Sequence, residues 1–215
     1  MPQPSLALLE PRKSPVQARS AASVEAILEA TIQVLLEIGK ERLTTTRVAK
    51  RAGVSVGTLY QYFPNKSALL QAVLKRHLNR VTEAVERTCA EQRGQSLKQM
   101  VTAVITTFLA AKMTDVKRSV AVYAVASDLD GARITRHTGT RSNKAMVEML
   151  KTAREQLATD PQLIASMLQG AMVGVSRRLL ESSAPEKQLD SVRRELVFFA
   201  CAYLDACTAR SAVRA

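Results

Sequence analysis

Aromatic residues are scarce in this chain: four Tyr, four Phe and no Trp make up 4% of 215 residues. Strand-like alternation of apolar and polar residues is also nearly missing, which argues against a β-sheet protein. Cysteine is sparser still. Three Cys, an odd number without ligand-like spacing, exclude a disulfide scaffold or a zinc module. Cys201 and Cys207 are six residues apart on one predicted helix and point to different faces, and Cys89 reads as a buried, inert thiol. The two histidines, His77 and His137, lie far apart in sequence, so no metal and no cofactor is expected. The longest stretch without a charge, 161–176, is short of the roughly 18 apolar residues a spanning helix needs. The basic start, apolar stretch and cleavage site of a signal peptide are missing too. A cytoplasmic protein with no membrane partner is therefore expected. No Ser/His/Asp set, carboxylate pair or Gly-rich phosphate loop is present, so an enzyme is not expected.

Positive charge is abundant. Lys and Arg number 31 against 19 Asp and Glu, a net charge of +12 and a pI near 10.1. Residues 1–80 hold 12 basic and 5 acidic residues, and residues 81–215 hold 19 and 14. The first part is thus the more basic per residue, as suits a polyanion-binding end on an ordinary globular body. A basic surface that serves only solubility remains the alternative at this level.

Apolar residues, 47% of the chain, recur with helical period and predict an all-α protein. Helices are expected over 20–39, 45–52, 56–63, from Asn65 to about 92, and then near 96–112, 115–128, 141–158, 161–182 and 185–209. Four of the seven prolines lie in the first 15 residues, so 1–19 reads as a flexible basic tail. The region 20–75 is expected to form a DNA-binding head and 76–215 a larger body. In the head, Thr44 can cap the second helix with Leu43 and Val48 as a hydrophobic staple. Gly53-Val54-Ser55 then turns the chain into a short third helix capped by Ser55.

Two short helices joined by a Gly-containing turn in a basic segment make a helix-turn-helix pattern over 44–63. Ser55, Gly57 and Thr58 are small where the second of these helices approaches DNA. Thr58, Tyr60, Tyr62 and Lys66 supply donors for phosphates. Leu59 and Phe63 are expected to face inward with Val48 and Ala49. Tyr60 could meet a thymine methyl or a phosphate. A generic structural turn is the competing explanation of the spacing.

The stretch 45–66, Thr-Thr-Arg-Val-Ala-Lys-Arg-Ala-Gly-Val-Ser-Val-Gly-Thr-Leu-Tyr-Gln-Tyr-Phe-Pro-Asn-Lys, closely resembles the DNA-binding domain of TetR-family transcriptional regulators, over about residues 20–75. The resemblance implies a three-helix head on a larger all-α ligand-binding and dimerisation body. It also implies a homodimer that places two recognition helices in successive major grooves of a palindromic operator, about 34 Å apart. By position, Thr46 and Arg47 correspond to contacts at the start of the second helix, and Val56, Gly57 and Thr58 to the readout edge of the third. Tyr60 and Tyr62 match positions that contact phosphate or thymine, and Lys66 matches a phosphate clamp. Val56 is apolar where many relatives carry Lys, Arg or Gln. Gln61 stands where an aromatic is frequent; reading adenine and simple solvation are both open for it. Arg12, Lys13 and Arg19 in the tail either reach the DNA or are solvated.

In the body, the last predicted helix carries two apolar stripes, Val192, Leu196, Phe199 and Tyr203, and Val197, Cys201 and Leu204. The helix before it has Ser166, Gly170 and Gly174 at four-residue spacing. A helix apolar on two faces must bury both, and a second subunit is expected to cover Val192, Leu196, Phe199 and Tyr203 together with Ser166, Gly170 and Gly174. The resemblance pairs these two helices with their copies in a four-helix bundle. Phe108, Met113, Tyr123, Met146, Met149 and Met172 are candidates for lining a pocket for a small apolar effector, with ordinary core packing as the alternative for each. Few acidic residues fall on those faces, Asp128 and Asp130 being the exceptions, so a neutral or anionic effector is favoured. The function expected is that of a ligand-responsive repressor acting on double-stranded DNA. A TetR-type activator, a non-specific nucleoid-type protein and an all-α enzyme are the alternatives.

Overall fold

The computed structural model describes residues 18–125 and 131–209. Nine helices and no strand are found among them: α1 Ala18–Arg42, α2 Thr45–Ala52, α3 Val56–Tyr62, α4 Lys66–Glu91, α5 Leu97–Met113, α6 Val116–Ala124, α7 Gly131–Leu150, α8 Pro161–Glu181 and α9 Pro185–Ala209. Arg12, Lys13, Asp128 and Asp130 lie outside the described residues. The fold is all-α, as the helical apolar period requires. The chain packs as two compact units, one from residues up to His77 with Lys117–Ile134, the other from Leu78–Val116 with Thr135 onward.

In the first unit α2 and α3 are too short to persist alone, since helices under about 12 residues are marginal in water. Their ends are closed by side chains. Thr44 accepts the Arg47 amide at the start of α2, and Ser55 accepts the Thr58 amide at the start of α3. Asn65 Oδ1 accepts the Ala68 amide at 2.8 Å, in the first turn of α4. The path of α1 breaks at Gly39, with φ 74°, and α2 ends at Gly53, with φ 69°. Leu43 and Val48, the staple pair, are both buried. α1 packs on α2, and α2 on α3.

A cluster of long-range ion pairs joins α1, α4 and α6 within this unit. Glu29 takes both terminal nitrogens of Arg118, at 2.6 and 3.1 Å, and Arg76 at 3.1 Å. Arg76 also reaches Glu25. The Arg118 hydrogen bond is the main reason the Glu29 carboxyl sits below the usual carboxylate range.

The second unit has one continuous apolar core drawn from α4, α5, α7, α8 and α9, with Met100, Ile105, Leu109, Met146, Ile164 and Ala200 at its centre. Its helices begin on well-formed caps: Ser96 and Gln99 exchange hydrogen bonds in a capping box, and Asp160 precedes Pro161 at the first helical position. α7 runs over 131–150 rather than the expected 141–158. The segment after Leu150 leaves the helix because its amides bond elsewhere: Arg154 N to Gln95 O and Ala158 N to Cys207 O. Gly131, Gly139 and the threonines of 131–141 are poor helix formers, so their helix was not visible as a propensity signal.

One lysine is buried in this core. Lys112 is 6% exposed; its Nζ donates to Ser176 Oγ at 2.9 Å and lies 5.1 Å from the centroid of the Phe108 ring. Burial pushes the Lys112 ammonium down from 10.5 to about 8.

Two outcomes are expected. Gly53→Ala meets no neighbouring atom but must hold a left-handed backbone, so it should cost about 1–2 kcal/mol, read from denaturant unfolding. For Lys112, the native state releases its proton near pH 8 while the unfolded chain keeps it to about 10.5. Stability therefore rises with pH across that window. Lys112→Met should lose that rise, so Tm measured for both proteins between pH 7 and 10 should shift in favour of the wild type as pH increases.

Candidate nucleic-acid interface

α2, the turn at Gly53 and α3 form a helix-turn-helix held from behind. Val48, Ala49, Leu59, Tyr62 and Phe63 are buried. Because α3 has only two turns, burying Leu59 and Tyr62 leaves Val56, Gly57, Tyr60 and Gln61 together on the opposite, exposed face. Thr46, Arg47 and Lys50 are exposed on α2. Neither Arg47 nor Lys50 has an acidic partner among the described residues.

Several other polar groups of the head bond within it. Arg51 forms a forked pair with Glu37 and also donates to Gln33 Oε1 at 3.3 Å. That pair holds the Glu37 carboxyl below its usual range. The Tyr62 hydroxyl lies 2.6 Å from Ser20 Oγ on α1, so the residue that sequence offered for phosphate instead joins α3 to α1. Lys66 Nζ donates to Lys40 O at 2.6 Å, satisfying a carbonyl at the end of α1. The Tyr60 hydroxyl stays at the surface, 3.0 Å from Thr45 Oγ1. Thr58 Oγ1 is 2.8 Å from Ser55 Oγ. Thr45 and Ser20 escaped sequence reasoning because each acts only through a tyrosine 15 or 42 residues away. Nothing local signals such a pair.

The candidate pocket residues do not all meet. Phe108, Met146, Met149 and Met172 belong to the core of the second unit. The three methionines, with Val101, Val104, Leu150 and Leu168, surround a void of about 10 Å³, room for about one water. Met113 is half-buried on α5. Tyr123 belongs to the first unit, where its ring meets His77 edge-on at 5.4 Å. Cys89 is buried, and its thiol is pushed up to about 12, far from a reactive thiolate.

α8 and α9 pack on each other, and each leaves an exposed strip. On α8 it comprises Leu163, Ser166, Met167, Gly170, Val173 and Gly174. On α9 it is dominated by Phe198 and Phe199, 72% and 54% exposed. Leu196, read from sequence as facing a partner, is 5% exposed and lies in the chain's own core. Val192 is half-buried, and the half-buried Tyr203 packs against that core. The core takes the stripe Leu196, Ala200, Leu204 and Cys207, which turns Phe198 outward. Sequence reasoning missed Phe198 because both flanks of α9 are apolar.

A three-helix head with a capped, outward-facing second helix of a helix-turn-helix defines a DNA-binding transcriptional regulator. Residues 27–73 match the model of bacterial regulatory proteins of the tetR family, and residues 96–204 match the tetracyclin repressor-like C-terminal domain. The chain belongs to the TetR family. Among curated proteins it is similar to the nucleoid occlusion factor SlmA of Glaesserella parasuis serovar 5, 29% identical over 74% of this chain and 81% of that protein. Several other curated relatives are matched over less than half of their own length. Among solved structures, a TetR-family regulator from Mesorhizobium loti superposes with a TM-score of 0.71 at 19% identity, over 88% of this chain and 98% of that one. SmeT, the repressor of the Stenotrophomonas maltophilia multidrug efflux pump SmeDEF, superposes with a TM-score of 0.64 at 22% identity, over 86% and 91%. It has also been solved as a complex with triclosan. Among the described residues, no helix is long and apolar enough to cross a membrane.

Proposed function

We propose that this protein is a cytoplasmic, homodimeric repressor that holds a palindromic duplex operator with two heads and releases it on binding a small apolar effector. The observation that carries the reading is the outer face of α2 and α3. It presents hydroxyls, one amide and the cations of Arg47 and Lys50, which have no acidic partner among the described residues, whereas Arg51, Tyr62 and Lys66 bond within the head. In this reading the head is 20–75 and the body 76–215. Thr46, Arg47 and the Tyr60 hydroxyl take phosphates. Ser55, Val56, Gly57, Thr58 and Gln61 form the edge nearest the bases. Tyr62 and Lys66 serve by fixing α1 against α3 and α4.

The second copy covers the strip on α8 and α9. Exposed apolar residues grouped on two packed helices mark an interaction site, and an isologous contact of α8 and α9 with their copies would bury them. Ser166, Gly170 and Gly174 let the helices approach closely, while Phe198 and Phe199 supply the apolar area. Val192, Leu196 and Tyr203 support the strip from beneath.

For the effector, the methionine-lined core around Met146, Met149 and Met172 is the favoured place, with Phe108 and Met113 on the neighbouring helix. Met adapts to irregular shapes. Lys112 against Phe108 brings positive charge to that core, which favours a neutral or anionic effector over a cation. The structural relative SmeT, bound to triclosan, is in keeping with an apolar effector. Release from the operator requires that the effector bind the free form more tightly than the DNA-bound form.

The direct test is a gel shift of the purified protein on its own upstream intergenic DNA against a scrambled competitor. A discrete, salt-sensitive shift that survives the competitor is expected; equal binding to both duplexes, with no site recovered from random sequence, would sink the reading. Tyr60→Ala should weaken operator binding by about 1–3 kcal/mol without changing the dimer mass. Phe199→Glu should do the reverse at its origin, giving a monomer by sedimentation and losing the operator shift as a consequence.

A further inference from the structure

The base pairs that α3 can read follow from which of its side chains are still uncommitted. α3 is Val-Gly-Thr-Leu-Tyr-Gln-Tyr and holds no charged residue. Leu59 and Tyr62 are buried, and the Tyr62 hydroxyl is taken by Ser20. Thr58 is tied to Ser55 through both its hydroxyl and its amide. The Tyr60 hydroxyl is drawn toward α2 by Thr45, at 3.0 Å, the side on which the backbone-crossing helix lies. Gly57 has no side chain to offer. Beyond the helix, Asn65 caps α4 and Lys66 closes the end of α1. Val56 and Gln61 are left, both exposed, one on each flank of the outward face.

Their chemistry is restrictive. The commonest specific contact to guanine uses an Arg or Lys fork on O6 and N7, and α3 has neither. Gln matches adenine, accepting from N6 and donating to N7, and a small apolar side chain packs on the thymine methyl. Five residues of helix separate Val56 from Gln61 by about 7.5 Å along the axis, which is about two base-pair steps at 3.4 Å each. We infer that each operator half-site has an A·T-selective core, with Val56 on a thymine methyl and Gln61 forked onto an adenine roughly two steps away. This inference rests on the DNA-binding reading given above.

The test is selection of the full-length protein on a random duplex library, repeated with Gln61→Ala and Val56→Ala, both surface changes. A half-site is expected in which one A·T pair loses its preference with Gln61→Ala and another with Val56→Ala. Replacing the first pair's adenine by 7-deazaadenine, which lacks the N7 acceptor, should weaken wild-type binding roughly fivefold or more and leave Gln61→Ala unaffected. Replacing the second pair's thymine by uracil should weaken wild type and leave Val56→Ala unaffected. A G·C pair at either position, or variants that keep the wild-type preference, would overturn the inference while leaving duplex binding intact. Failure to enrich any sequence would instead overturn the DNA-binding reading and the inference with it.

Discussion

The outward chemistry of the head depends on the anchoring of α3. Seven residues make two turns, far too few to be stable in isolation, so the helix exists only because Leu59, Tyr62 and Phe63 are buried. Helical geometry then leaves no choice about the rest. With those positions inward, Val56, Gly57, Tyr60 and Gln61 share the opposite face. The turn that delivers α3 needs a left-handed residue at Gly53 and a side-chain cap at Ser55. One packing decision thus fixes both the stability of the head and the surface it can offer a ligand.

A second layer of constraint is electrostatic. A basic head would repel itself if all its cations were free, and several are instead spent on structure. Arg51 is forked onto Glu37, Arg76 spans Glu25 and Glu29, Arg118 shares Glu29, and Lys66 caps a carbonyl. Arg76 and Arg118 are largely covered while the carboxylates stay partly exposed; single ion pairs that reach solvent contribute little, but the shared carboxylate of Glu29 links three helices at once. What remains unpaired on α2, Arg47 and Lys50, is concentrated beside the exposed face of α3. Among the described residues, the exposed cations of the helix-turn-helix therefore lie on α2 and none lies on α3.

Legibility from sequence followed the range of the interaction. Caps and turns were readable because Thr44, Gly53, Ser55, Asp160 and Pro161 act within three residues of themselves. The inward set Val48, Leu59 and Phe63 was readable from period. Tyr62 and Lys66 were not, since their partners Ser20 and Lys40 are 42 and 26 residues away. The same blindness applied to α9, where period alone could not say that the core would take Leu196 from one apolar stripe and Leu204 from the other. Packing against α5 and α8 decided it. α7 was misplaced because tertiary hydrogen bonds to Gln95 and Cys207, not local preference, end it at Leu150.

The methionine-lined core of the body poses a volume problem for an effector. Pockets that enclose drug-sized molecules run to roughly 300 Å³ or more, whereas the void among Met146, Met149 and Met172 is about 10 Å³. A ligand entering there has to displace packed side chains, and the lost contacts count against its affinity. Methionine lowers that cost, being unbranched and able to refill irregular space. The same cost gives the ligand its leverage. A site already open in every conformation would bind without preferring one, and a ligand with equal affinity for two states shifts nothing. A core that must be repacked to admit the effector is one whose occupancy can discriminate between states of the body. The tight packing around these methionines is thus compatible with an effector site, and it supplies the difference in affinity that release from DNA would require.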